Sequence, residues 1–144
     1  MKIQTEENRI IIFHSCKIMI VFSGFAYWYK DFILSFLYMI VFLTSYLHWR
    51  NPVQKSAIQT MDRCVVSLSS LVSLGRSFLL LDTEWRVFYS AFFLFSIWCY
   101  WNALLEHHPT TSMYWHLTMH AFGHICNSVL IFKNHCIRSQ SVLF

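Results

Sequence analysis

Charged residues, glycine and proline are all scarce in this 144-residue chain. Asp, Glu, Lys and Arg together make up 12% of the residues, whereas soluble domains carry about 25%. Three glycines and two prolines are too few for collagen-like, linker-rich or turn-dense β architectures. These shortages exclude an ordinary soluble domain and disfavour a β fold.

A disulfide framework and a nucleic-acid-binding surface are also disfavoured. The cysteines are widely spaced, form no C-x-x-C pair and lie mostly within apolar runs: Cys16, Cys64, Cys99, Cys126 and Cys136. This distribution is typical of small buried side chains. The net charge of +4 comes from scattered Lys and Arg near the ends of apolar runs, without a basic block. A membrane surface therefore explains the excess of base better than a nucleic acid does.

The residues that are abundant are apolar, at 56% of the chain, and aromatic, at 19%. A membrane-spanning helix needs about 20 mainly apolar residues. The apolar runs predict an all-α fold, a polytopic transmembrane helix bundle of about five helices in a single domain covering residues 1–144. The predicted spans are 10–29, 32–49, 62–81, 86–105 and 112–132. The chain is therefore expected to be an integral, multi-pass membrane protein.

The ends of these spans are defined by polar residues. Pro52 is expected to end the second span, because proline cannot continue helical hydrogen bonding, and 51–61 is predicted to be a polar loop containing Lys55. The first span also allows a signal-peptide interpretation, although Glu6 and Glu7 and the lack of an A-x-A site count against it. Flanking Lys and Arg are divided nearly equally between the two sides, so the orientation stays open.

Polar residues inside the third and fifth spans point into the bundle. Asp62, Ser69, Ser73 and Arg76 recur at helical spacing, which predicts one polar face on the third span. Histidines follow one another at intervals of four in the fifth span: His116, His120 and His124. His116 and His120 therefore project from the same side of that helix. Such polar faces also indicate that an oligomer or partner helices could cover them.

The order of the spans brings several of these residues to one side of the membrane. With five spans, the end of the second, the start of the third and the start of the fifth share a leaflet, and they carry His48, Asp62 and His116. Three imidazoles with an open position form the ligand set of a catalytic zinc site, so His48, His116 and His120 are predicted metal ligands. Asp62 is a predicted catalytic base for water. The hydroxyls of Thr44 and Ser45 are predicted to hold the water or an oxyanion.

Each of these residues also has a purely structural interpretation. A histidine within a membrane often bridges helices by a hydrogen bond, and Ser or Thr often bonds back to its own helix. Asp62 at a helix start is favoured by the helix dipole alone. His124, one turn deeper, and the loop residues His107 and His108 are left outside the predicted ligand set.

The pattern Thr44-Ser45-Tyr46-Leu47-His48, Asp62 and His116-x-x-x-His120 resembles a superfamily signature. That superfamily contains alkaline ceramidases, adiponectin-type receptors, haemolysin III-like proteins and Per1-like proteins. Its members carry Ser-x-x-x-His, Asp and His-x-x-x-His on their second, third and seventh helices. The resemblance implies zinc as cofactor, a membrane lipid as substrate, hydrolysis of its amide or ester bond, and location in the endoplasmic reticulum or Golgi. Here Thr44 stands at the serine position, and five helices are predicted where the family has seven.

Two other classes of function remain open at this stage. The chain is alternatively a non-catalytic membrane protein with a structural metal or a polar core. A third interpretation is a haem-binding electron carrier, in which His48 and a histidine of the fifth span supply the axial ligands. The large number of Phe, Trp and Tyr side chains counts against haem, because a macrocycle needs room.

Overall fold

Helices account for nearly all of the chain that the structure describes. The computed structural model describes residues 5–50 and 56–141, and these ranges contain no strand. In chain order the helices are α1 (Glu6–Cys16), α2 (Ile18–Trp28), α3 (Phe32–Arg50), α4 (Ala57–Leu80), α5 (Thr83–Leu105) and α6 (Pro109–Ser141). Because α1 and α2 join at Lys17 in one 23-residue segment, the helices form five rods. The predicted all-α bundle of about five helices is confirmed.

The observed helix ends differ from the predicted span limits, and local caps explain the differences. The first rod begins at Glu6, where Thr5 Oγ1 accepts a hydrogen bond from the amide of Asn8 at 3.3 Å. The prediction of a loop over 51–61 is wrong for 57–61, because α4 begins at Ala57. Ser56 Oγ caps that helix by accepting from the amide of Gln59 at 3.1 Å. Pro52 and Lys55 lie outside the described residues.

The last helix is the longest and extends beyond the predicted span of 112–132 at both ends. It has 33 residues and begins at Pro109. Proline suits the first position of a helix, because its backbone nitrogen needs no hydrogen-bond partner there. At the other end the polar residues after Phe132 continue the helix instead of ending it.

In the part of the chain that the structure describes, four rods are long and apolar enough to cross a membrane. They are Glu6–Trp28, Phe32–Arg50, Ala57–Leu80 and Thr83–Leu105. Their large apolar side chains are widely exposed, including Trp28 at 82% and Leu79 at 84%. A surface of this kind suits lipid. The chain thus has the features of an integral, multi-pass membrane protein. The fifth predicted span lies in α6, which is not among the four, and it stays a prediction.

A buried ion pair joins three helices at one end of the bundle. Arg76 Nη2 of α4 lies 2.6 Å from Oδ2 of Asp31, which precedes α3. Asn134 of α6 donates to the same oxygen at 3.0 Å, and the amide of Leu34 donates to Oδ1 at 3.2 Å. The polar face predicted for the third span is thus directed into the bundle at Arg76. Its partner Asp31 lies between the predicted spans 10–29 and 32–49, immediately before α3.

Two apolar clusters divide the bundle along its length. One contains Leu34, Tyr89, Leu130 and Ile131, near the Asp31 end. The other contains Ile12, Cys16, Trp49 and Met113, near the opposite end. Most of the predicted site residues lie at this second end.

Candidate functional site

The carboxylate of Asp62 is held by two hydroxyl groups from the neighbouring helix. Ser45 Oγ donates to Asp62 Oδ1 at 2.6 Å, and Thr44 Oγ1 donates to the same atom at 3.0 Å. All three side chains are buried. Asp62 lies in the second turn of α4, and the two hydroxyls lie near the end of α3, so the antiparallel order of the helices brings them together. Both hydroxyls therefore hydrogen-bond to Asp62, although Thr44 stands where the resembled superfamily has serine.

The histidines of α6 form a close pair. Because His116 and His120 are four residues apart, their rings project from one side of the helix, and their Nε2 atoms are 3.1 Å apart. As neutral imidazoles they form one hydrogen bond, with either ring as donor. Two nitrogens bound to one tetrahedral zinc at about 2.0–2.1 Å would be separated by about 3.3–3.4 Å. The pair is therefore spaced almost as two zinc ligands would be.

His48 reaches the same end of the bundle, where Trp49 lies beside it. The centroid of the Trp49 ring lies 4.9 Å from that of His48 and 5.5 Å from that of His116, both in edge contacts. The Nδ1 atom of His48 is buried and has no hydrogen-bond partner among the described residues. A buried imidazole of this kind has a nitrogen to offer to a ligand.

The predicted ligands thus meet the requirements for zinc in part. Within residues 5–50 and 56–141, no three His, Cys, Asp or Glu side chains are grouped closely enough to hold a metal ion. The donor chemistry fits, because three imidazoles lie at one end, that of His48 buried and those of His116 and His120 half-buried, and the latter two have nearly the required spacing. The third ligand position depends on His48, whose ring lies against Trp49. The contact with Trp49 is not evident from the ligand pattern in the sequence.

The remaining histidines near the predicted set have other partners. His124 Nδ1 lies 3.3 Å from the hydroxyl of Tyr38, and its ring stacks on Phe22 with centroids 4.3 Å apart. His107 and His108 are exposed, and their amides donate to Oε1 of Glu106 at 2.8 and 2.9 Å. These hydrogen bonds lower the pKa of Glu106, and the one from the amide of His108 has the largest effect. The loop histidines are therefore solvated, while His124 belongs to the interior of the bundle.

The site contains a carboxylate, that of Asp62, which accepts hydrogen bonds from two hydroxyl groups. It also contains the pair His116 and His120, inside a mainly apolar bundle. This arrangement can accept a proton at Asp62 and offer imidazole nitrogens to a metal ion. Comparisons of the chain with protein-family models, curated proteins and solved structures found no match. The superfamily resemblance therefore stays a prediction, and what is established is an all-α, multi-pass membrane protein.

Proposed function

We propose that the chain is a zinc-dependent hydrolase that cleaves an amide or ester bond of a membrane lipid, as a ceramidase does. The observation that carries the proposal is the double hydrogen bond from Ser45 and Thr44 to Asp62, at the same end of the bundle as the His116–His120 pair. Two hydroxyls fix the carboxylate in place, which is how a catalytic base is oriented.

The proposed ligands are His48, His116 and His120. Zinc supplies Lewis acidity there, which makes water acidic enough to ionise near neutral pH and polarises a carbonyl group. Asp62 takes the proton from the attacking water and later returns it to the leaving amine or alcohol. Ser45 and Thr44 act as positioning residues, because they contact the carboxylate. The apolar surroundings exclude bulk water and strengthen these electrostatic interactions.

Zinc analysis of the purified protein tests the ligand set. Replacing His48, His116 or His120 with Ala should remove zinc. His124→Ala is the matched control, because His124 is a buried histidine one turn beyond His120 on α6. His107→Ala controls for an exposed histidine. Stoichiometric zinc in the His120→Ala protein would contradict the ligand set.

Hydrolysis of short-chain ceramide and lysolipid substrates tests the catalytic role of Asp62. Asp62→Asn keeps the size of the side chain but removes its basicity. It should leave a folded, zinc-loaded protein whose rate is lower by about 10²–10⁴-fold. Equal rates for the two proteins would refute the role of Asp62.

The second candidate is a non-catalytic membrane protein with a polar core. It is favoured by the hydrogen bond between His116 and His120 and by the bonds to Asp62, because these side chains satisfy one another without a metal. Under this alternative, the purified protein contains no zinc and hydrolyses neither lipid. Iron with a Soret band would instead indicate the haem carrier.

A further inference from the structure

A chamber lies in the middle of the bundle, next to the candidate site. It has a volume of about 140 Å³, is partly open, and is lined by residues of α2, α3, α4, α5 and α6. The wall contains His120, His124 and a series of serines: Ser69, Ser70 and Ser73 of α4 and Ser96 of α5. One side chain, that of His120, belongs to both the chamber wall and the histidine pair.

Four residues that line the chamber each carry a buried polar atom without a hydrogen-bond partner among the described residues. They are Ser69 Oγ, Tyr89 Oη, His124 Nε2 and Asn127 Oδ1. Tyr89 is only 1% exposed and His124 only 8%. A buried polar atom without a partner is costly, and the cost is greater where lipid surrounds the protein. Four such residues, on three helices around one chamber, indicate a polar occupant of the space between them.

We propose that this chamber binds a small cluster of water molecules. Water is a donor and an acceptor at once, so it can satisfy a hydroxyl, an imidazole nitrogen and an amide oxygen together. An acyl chain would leave all four atoms unsatisfied, and none of the described carboxylates lines the wall to hold a cation. At about 30 Å³ for each molecule, the volume has room for about four or five waters.

The position of the chamber gives the water a function. At one end the space is bordered by Leu34, part of the apolar cluster that also contains Leu130 and Ile131. At the other end His120 connects it to His116 and the candidate site. The chamber is therefore a water store beside the site, and it supplies the water consumed in hydrolysis. This supply role rests on the proposed hydrolase function, whereas the binding of water does not.

Radiolytic hydroxyl-radical labelling of the full chain in detergent tests for the water, because radicals form where bound water is ionised. The two methionines to compare are equally buried. Met19 is 3% exposed and lines the chamber, whereas Met113 is 4% exposed and packs in the apolar cluster with Trp49. Met19 should be oxidised several-fold faster than Met113. Equal oxidation rates would overturn the proposal.

A filling variant provides a second measurement. Gly123 lines the chamber, and a Cβ atom added there would approach only Ser96 Oγ, at an unstrained 3.8 Å. Gly123→Leu should displace the water and reduce Met19 oxidation to the level of Met113. Gly75→Leu is the matched control, because Gly75 is exposed on α4 with nothing within 4 Å, and it should leave Met19 oxidation unchanged. Unchanged oxidation of Met19 in folded Gly123→Leu would also overturn the proposal.

These results are separable from those of the zinc and hydrolysis assays. Rapid Met19 oxidation in a protein without zinc or turnover would support the hydrated chamber and contradict the hydrolase. Equal methionine oxidation in an active zinc protein would support the hydrolase and contradict the chamber.

Discussion

Ser45 Oγ and Asp62 Oδ1 lie 2.6 Å apart and join the end of α3 to the start of α4. The acceptor is a buried carboxylate, so this hydrogen bond should be stronger than one between two neutral groups. It belongs to the candidate site and also to the packing of the two helices. The bond therefore leads to a prediction about stability that does not depend on any activity.

Ser45→Ala should lower the free energy of unfolding in detergent by about 1–2 kcal/mol, because it removes a hydrogen bond from a buried charged acceptor. Thr44→Ala should cost less, because its bond to Asp62 is longer and its hydroxyl also donates to the carbonyl of Val41 at 3.1 Å. Ser67→Ala, exposed on α4, is the control. A larger loss for Thr44→Ala than for Ser45→Ala would contradict this ranking.

Asp31→Ala should be strongly destabilising, by about 3–5 kcal/mol, because it leaves Arg76 as an uncompensated charge inside the bundle. The side chains of Asp31 and Arg76 are 1% and 13% exposed. The double variant Asp31→Leu/Arg76→Met should recover much of the loss, since it removes both charges. Denaturation of the single and double variants provides the measurement. Additive losses would show that the two side chains are not coupled.

Stability should also fall in acid through Asp82, which lies in the turn between α4 and α5. Its hydrogen bond from Lys133 at 2.9 Å, followed by one from the amide of Trp85, lowers the pKa of Asp82 below its usual 3.8. A lowered pKa stabilises the folded state at pH values above 3.8, and this stabilisation is lost as the pH falls through the lowered value. The melting temperature should therefore drop in that range.

Asp82→Asn removes the charge but keeps the helix cap, so it tests the charge alone. The variant should melt at a lower temperature at neutral pH. It should also lack the fall in melting temperature that protonation of Asp82 causes in acid. Glu84→Gln, in the first turn of α5, is the control for removing a nearby carboxylate. Identical melting curves for the unmodified and Asp82→Asn proteins across the acid range would refute the linkage.

Helix α6 is predicted to cross the membrane. Its 33 residues measure about 50 Å at 1.5 Å per residue, more than the hydrocarbon thickness of about 30 Å. Its far end meets the turns at the opposite end of the bundle, where Lys133 binds Asp82 and Arg138 donates to the carbonyl of Lys30 at 3.1 Å. Single cysteines at exposed positions of a cysteine-free protein should report the crossing.

Cysteines at His107 and Ser139 should react with an impermeant reagent from opposite sides of the membrane. A cysteine at Glu84 should react from the same side as that at Ser139. Because Glu84 and His107 lie at opposite ends of α5, their labelling from opposite sides shows that the assay detects a membrane crossing. Labelling of His107→Cys and Ser139→Cys from one side would rule out a fifth span. Labelling of Glu84→Cys and His107→Cys from one side would instead remove the topological basis for placing His48, Asp62 and His116 together, because that basis requires α5 to cross the membrane.

The sequence alone determined the fold class, and it supplied the residues that the functional proposal uses. Apolar runs and scarce charge predict lipid-embedded helices whatever their packing, because every backbone group must be bonded within lipid. Spacing by itself put His116 and His120 on one side of a helix. The polar face of the third span was also visible, because helical periodicity is a local property.

Only the tertiary structure decided which partner each polar side chain has. Arg76 lies on the predicted polar face, but its pairing with Asp31 depends on how α4 rotates against α3. The same holds for Trp49 between His48 and His116 and for Tyr38 beside His124. The chamber is a property of several helices at once, so no single segment of sequence records it. Partners and cavities arise from packing between helices, whereas composition and periodicity describe each helix separately.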